Sequence, residues 1–230
     1  MTALRYWALS RCGLRAENQD ACVAPGLGLV EENTVVHGAI TLSWDGEVVA
    51  IADGVGGGPD GRLAAITALR TLTAHSVKRN DPLQLEKLLR TADLAVQGLK
   101  SSRGRPSTTI AGISTNADFT HIFNLGDTRV YDLSHEQRLL TEDHRSTMNR
   151  SAITRFLGGG PAQGVPRITT LATEARRLLI CSDGLYNFVA SSTLALLAER
   201  DPQGELPRIF DVAEALGSND NLSAIVCEIS

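Results

Sequence analysis

Cysteine is sparse: the 230 residues contain four, at positions 12, 22, 181 and 227, widely scattered and without a C-x-x-C pair. That pattern excludes a dense disulfide framework and argues against a structural zinc site; buried free thiols in a reducing compartment are expected instead. Excess basic charge is missing too, the formal net charge being −4, so no nucleic-acid partner is expected. Nowhere does the chain hold the roughly 18 consecutive apolar residues of a membrane-spanning helix, and the opening stretch MTALRYWALSRCGLRAENQD lacks a sustained apolar segment. A soluble, cytoplasmic, monomeric protein with no membrane partner is therefore expected. No Pro- or Ser-rich linker, internal repeat or low-complexity tract divides the sequence, and its length suits one large domain over residues 1–230.

What is present begins with VVAIADGVGGG, from Val48 to Gly58: an apolar run ends in Asp53 and is followed by Gly54, Gly56, Gly57 and Gly58. Asp-Gly is a common turn dipeptide, because Asp tolerates unusual backbone angles and Gly takes positive φ without strain. Asp45-Gly46 reads that way, as the two-residue turn of a hairpin from about Thr34 to Ala52. A turn needs no row of glycines behind it, so the second Asp-Gly has another reason.

Apolar spacing predicts helices in GRLAAITALRTLTAHSV and PLQLEKLLRTADLAVQGL, separated at Asn80-Asp81-Pro82, and later in SSTLALLAER and ELPRIFDVAEAL. β-branched and aromatic residues predict short strands in TTIAGISTN, FTHIFNLGD and TRVYDLS, another at Leu178–Cys181, and a last one in LSAIVCEI. Strands, two helices, strands, two helices and a strand imply a layered α+β fold with helices packed on antiparallel sheets.

Acids recur at strand ends. Asp53 closes VVAIAD, Asp127 closes HIFNLGD, Asp183 follows RRLLICS, and Asp220 precedes the last strand. Each alone reads first as a turn or cap residue. Together they read as a cation site, because carboxylates clustered at a sheet end are costly to desolvate and hard oxygen ligands select Mg²⁺ or Mn²⁺. Strands carrying Asp53, Asp183 and Asp220 side by side could hold two divalent ions about 3.5–4 Å apart with an activated water between them, which is phosphoester-hydrolysis chemistry. Gly54 would then turn its carbonyl toward a metal, and the following glycines would leave room for substrate.

The ordered series GLRAENQDA, ADGVGG, STT, NLGDTRVYDL, LTEDH, LLICSDGL and NDNLSAIV covers nearly the whole chain. It resembles the metal-dependent protein serine/threonine phosphatases of type 2C, the PPM family, and in particular their short bacterial members. The resemblance implies a central β-sandwich of two antiparallel sheets flanked by helices, with a metal centre in a cleft at one end. It implies that Asp53 bridges two Mn²⁺ or Mg²⁺ ions, that the Gly54 carbonyl completes one, and that Asp183 and Asp220 hold the other. Asp20 would orient metal-bound water, Asp127 would support a weaker third ion, Arg15 would clamp the substrate phosphate, and Asn221 would fix the Asp220 loop. The implied substrate is a phosphoprotein made by a serine/threonine kinase.

Two departures stand out against the family pattern. Gly58 occupies the place where many bacterial relatives have His, and His144 in TEDHR is the nearest substitute as a general acid. Between His144 and RFLGG the chain has only RSTMNRSAIT, so the mobile flap of the relatives is truncated, which should alter access more than core chemistry. Two other readings remain open. Gly56, Gly58 and Gly61 formally fit the G-x-G-x-x-G of a nucleotide-binding domain, although no parallel strand with a suitably placed acid follows. Alternatively, the phosphatase fold is kept as a regulatory module without turnover.

Overall fold

The computed structural model describes residues 1–30, 34–55, 60–74, 81–102, 104–134, 136–149, 152–160, 166–172, 174 and 176–230. The readings placed on Gly56, Gly57 and Gly58 lie outside the described residues. In chain order the strands are β1 (Ala3–Arg11), β2 (Asp20–Ala24), β3 (Gly28–Val30), β4 (Val36–Thr41), β5 (Glu47–Asp53), β6 (Ile110–Thr115), β7 (Phe119–Leu125), β8 (Arg129–Asp132), β9 (Arg138–Leu139), β10 (Arg167–Ala172), β11 (Arg176–Cys181) and β12 (Leu222–Ile229). The helices are α1 (Gly61–Ala74), α2 (Pro82–Gln97), α3 (Asp183–Tyr186), α4 (Ser191–Ala195) and α5 (Pro202–Ala215).

Two six-stranded sheets form, ordered β4-β1-β12-β11-β8-β9 and β10-β7-β6-β5-β2-β3. Every pairing between these strands is antiparallel. That arrangement removes the dinucleotide-binding reading, which needs a parallel sheet, and α1 leads into α2 rather than into a strand.

Side chains on successive strand residues point to opposite faces, and this alternation builds three cores. Ile51, Val49, Cys22, Ile113, Ile180, Ile225 and Cys227 fill the space between the sheets. Ala50, Ala52, Val23, Phe123 and Leu125 face the other way and pack under Leu69, Leu72, Leu85 and Leu89 of α1 and α2. On the far side, Leu179, Cys181, Ala224 and Val226 pack beneath Leu206, Ile209 and Phe210 of α5. The layers therefore run helix, sheet, sheet, helix, as the resemblance implies. Asp-Pro opens both long capped helices: the Asp81 carboxylate accepts from the Leu83 amide of α2, and Asp201 from the Gln203 amide of α5.

The expected hairpin over Thr34–Ala52 does not form. Its two strands exist, but β4 pairs with β1 in one sheet and β5 lies between β2 and β6 in the other. Asp45-Gly46 is still a turn, with Gly46 at φ 71°; it carries the chain from one sheet to the other. Burial separates the partners: β4 alternates between half-buried and exposed, as an edge strand does, whereas the interior of β5 is buried on both faces. The N-terminal strands β1 to β3 were also not expected from the sequence.

Candidate metal centre

Parity on the strands explains where the acids lie. Val49 and Ile51 point between the sheets, so Asp53, two residues on, continues that inward row at its open end. Cys22 points inward on β2, and so does Asp20 at the same end. The register places Asp20 directly opposite Asp53, a like-charge pair that antiparallel sheets normally avoid. From the facing sheet, Asp183 enters just after β11 and Asp220 just before β12. Asp183 and Asp220 thus sit on the paired strands β11 and β12, as a side-by-side arrangement requires, whereas Asp53 reaches them from β5 of the other sheet.

Arg15, Asp53, Gly54, Asp127, Asp183 and Asp220 line one cleft of about 290 Å³, together with Gln19, Arg145, Ile153, Asn187 and Asn221. A cavity of about 320 Å³ at Val96, Arg105, Pro106 and Gly160 carries no acid among its described lining residues.

The backbone around Asp53 is fastened by the STT motif. The Asp53 amide donates to Thr109 Oγ1 at 3.1 Å, and its carbonyl accepts from Thr108 Oγ1 at 2.8 Å and from the Thr109 amide at 2.8 Å. Gly54 has a steric reason to be glycine: a Cβ there would lie 2.6 Å from the carbonyl carbon of Gly61 at the start of α1. Gly184 is equally constrained, since its Cβ would meet the Asn221 carbonyl oxygen at 2.0 Å. The loops carrying Asp183 and Asp220 can touch only because that side chain is missing.

Asn221 ties the Asp220 loop to the N-terminal segment. Its Oδ1 accepts from the Gln19 amide at 2.9 Å, and its Nδ2 donates to the carbonyls of Cys12 at 2.8 Å and Glu17 at 3.0 Å. Arg15 sits at the same junction, with Nη2 donating to Asp220 Oδ2 at 2.9 Å and Nε to the Asn219 carbonyl at 2.9 Å. Asp20 is not on the cleft wall. It is 3% exposed and lies behind the wall, where Ser182 Oγ donates to its Oδ2 at 2.8 Å.

Arg129, two residues beyond Asp127, is engaged elsewhere. Arg129 makes a bidentate contact with Asp143, at 2.9 and 2.7 Å, and stacks 3.7 Å from the Tyr186 ring centre. Asp127 instead faces Arg145, whose Nη2 lies 2.7 Å from Asp127 Oδ2 and 2.9 Å from Asp183 Oδ2. His144 is not placed as a general acid: its Nδ1 accepts from the Gly126 amide at 3.0 Å, its Nε2 lies 3.0 Å from Arg155 Nη1, and burial followed by the Arg155 charge lowers its pKa.

The electrostatics favour cations. Lost solvation, then repulsion from Asp20, Asp183, Asp127 and Asp220, holds the Asp53 carboxyl well above the usual carboxylate range. Burial pushes Asp20 up to about 7, against hydrogen bonds from Ser223 and Ser182, and pushes Asp127 up to about 6 with help from Asp183 and against Arg145. Asp183 is raised by burial and by Asp220. Asp20 Oδ1 and Asp127 Oδ1 are buried without a hydrogen-bond partner. Oxygen donors held at such cost fit hard divalent ions, which reverse the sign of the local field. Among the described residues, no three His, Cys, Asp or Glu side chains are already drawn into a closed ligand set; Arg15 and Arg145 hold oxygens of Asp220, Asp127 and Asp183 instead. The sequence reading missed Arg145, Ser182 and Tyr186. The only signal for Arg145 was a cation directly after LTEDH.

Residues 36–226 match the protein phosphatase 2C family. The chain is 25% identical to the serine/threonine phosphatase stp of Listeria monocytogenes, over 87% of this chain and 92% of the relative. The catalytic domain of the serine/threonine protein phosphatase PstP, solved in complex with two manganese ions, matches with a TM-score of 0.79 at 24% identity over 100% of this chain and 99% of that one. The PPM Ser-Thr phosphatase MsPP of Mycobacterium smegmatis, solved with cacodylate, matches with a TM-score of 0.77 at 27% identity over 98% of each chain. Arg15 and Asp20 precede the matched range.

Proposed function

The chain belongs to the protein phosphatase 2C family, and on that premise we propose how it hydrolyses phosphoserine and phosphothreonine in proteins: two Mn²⁺ or Mg²⁺ ions are held by Asp53, the Gly54 carbonyl, Asp183 and Asp220. One observation carries this assignment. Asp53 projects from one sheet into a gap closed from the other sheet by Asp183 and Asp220, and its carboxyl is raised by each of those acids.

When bound, the ions supply an activated water as nucleophile and screen the phosphate's charge. The remaining work belongs to the chain. Asp53 lines the same cleft as both acids of the facing sheet and would be shared by the two ions. Arg15 uses Nε and Nη2 for Asn219 and Asp220, which leaves Nη1 for a phosphate oxygen in charge-assisted contact. Asp20, behind the cleft wall with Oδ2 held by Ser182, has Oδ1 without a hydrogen-bond partner and would use it to orient water at the ions. Asn221 keeps Arg15 and Asp220 in register through the 12–19 segment. Cys181 is not a nucleophile, because burial pushes its thiol up to about 12.

Residues 1–230 act in this reading as one catalytic domain, a monomer in the cytoplasm that opposes a serine/threonine kinase in a signalling circuit. Support comes from Cys22, Cys181 and Cys227, which are buried and free. Among the described residues, no helix is long and apolar enough to cross a membrane.

The test is hydrolysis of an aryl phosphate and of phosphothreonine and phosphotyrosine peptides by chelated protein with Mn²⁺ or Mg²⁺ added back. Turnover should vanish with chelator, return with the ion, and favour phosphothreonine over phosphotyrosine. Full activity after chelation, or complete inhibition by a thiol-alkylating reagent with the fold intact, rejects the assignment. A fold retained without turnover would bind Mn²⁺ yet hydrolyse nothing.

A further inference from the structure

We propose that Arg145 is a built-in cation that takes the place of a third divalent ion between Asp127 and Asp183. The inference rests on the two-ion reading above and stands against the expectation that Asp127 supports a third ion. A single guanidinium nitrogen, Nη2 of Arg145, lies 2.7 Å from Asp127 Oδ2 and 2.9 Å from Asp183 Oδ2. It therefore occupies the point at which an ion shared by those carboxylates would sit. Two cations cannot share that point.

The placement of Arg145 is built from several sides. Its Nη2 also donates to Tyr186 Oη at 3.1 Å, and Tyr186 Oη in turn donates to the Asp127 carbonyl at 2.8 Å. The neighbouring cation, Arg129, already has its charge matched by the bidentate contact with Asp143. Behind Arg145 the chain is pinned: the His144 amide donates to the Gly126 carbonyl at 2.9 Å, directly before Asp127, and the Thr154 amide donates to the His144 carbonyl at 2.7 Å. Arg145 itself bridges to Ile153 across the short loop. The shortened flap thus begins with the residue that neutralises Asp127. The hydrogen bonds to the Asp183 carboxylate, from Arg145 and from Asn187, both fall on Oδ2, which leaves Oδ1 as donor to one of the two functional ions.

The experiment counts bound Mn²⁺ per chain by equilibrium dialysis, up to millimolar free ion, for wild type, Asp127→Ala, Arg145→Ala and the double variant. Wild type and Asp127→Ala should both bind two ions. Arg145→Ala should gain a third, weaker ion that the double variant loses, and Arg145→Lys should remain at two. A third ion in wild type that disappears with Asp127→Ala overturns the proposal, and so does a folded Arg145→Ala that gains none. Should Arg145→Ala fail to fold, the wild-type and Asp127→Ala counts decide alone. Fewer than two ions in wild type would instead reject the two-ion assignment itself.

Discussion

At the scale of single residues, the chemistry is concentrated in charges placed where neighbours make them expensive. Asp53 is the extreme case, repelled by Asp20, Asp183, Asp127 and Asp220 at once. Replacing it with Asn removes the charge that balances the cations and relieves the repulsion when they are gone. Asp53→Asn should therefore lower kcat with saturating Mn²⁺ by more than tenfold, at least ~1.4 kcal/mol of barrier, and raise the melting temperature of the chelated protein. A variant keeping more than about a tenth of wild-type kcat would remove Asp53 from the bridging position. Arg15 makes a different prediction, because it sits at the cleft rim with a donor to spare. Arg15→Ala should reduce kcat/KM for an aryl phosphate and for phosphothreonine peptides by similar factors, roughly 10–100-fold for a lost charge-assisted contact. An effect confined to peptides would mean that Arg15 reads the polypeptide rather than the phosphate.

At the scale of elements, glycine and threonine decide whether the acids can meet. The Asp183 and Asp220 loops touch at Gly184, where a methyl group would lie 2.0 Å from the Asn221 carbonyl oxygen. Gly184→Ala should cost about 1–3 kcal/mol of stability through overpacking and weaken Mn²⁺ binding, read by thermal denaturation and by metal titration. Unchanged Mn²⁺ affinity would show that this junction does not set the spacing of the two acids. Much of this level was legible in the sequence. The helices around Leu69 and Leu89 announced themselves by apolar spacing, and Asp53, Asp127, Asp183 and Asp220 were visible as acids at strand ends. The pairing of β4 with β1 was not legible, because Asp45-Gly46 fits a turn within a sheet and a turn between sheets equally well. Partner choice there was settled by burial of β5 on both faces, a tertiary property that the turn residues do not encode. The role of Arg145 was hidden for a similar reason: its partners, Asp127 and Asp183, are brought to it only by the closing of the two sheets.

At the scale of the whole molecule, the sandwich holds its acids as a store of electrostatic strain that cations release, and pH exposes it. Asp20 is raised from 3.8 to about 7 and Asp127 from 3.8 to about 6, with Asp53 and Asp183 shifted the same way. Between those values the folded chain holds protons that the unfolded chain has released, so its stability falls as pH rises. The chelated protein should accordingly lose several degrees of melting temperature between pH 5 and pH 7.5, as expected for buried carboxyls that repel one another as they ionise. Mn²⁺ acts in the opposite direction. Protons compete with the ion for the same oxygens, so the stabilisation by a fixed Mn²⁺ concentration should be small at pH 5 and large at pH 7.5. In Asp53→Asn both trends should shrink, because one shifted carboxyl has been removed and the ions bind less tightly. The measurement is a set of melting curves at three pH values, with chelator and with Mn²⁺, for wild type and Asp53→Asn. If the chelated wild type instead gained stability from pH 5 to pH 7.5 in parallel with the Mn²⁺ form, Arg15 and Arg145 alone would be sufficient to hold the ionised acids, and the cluster would not depend on cations for its charge balance.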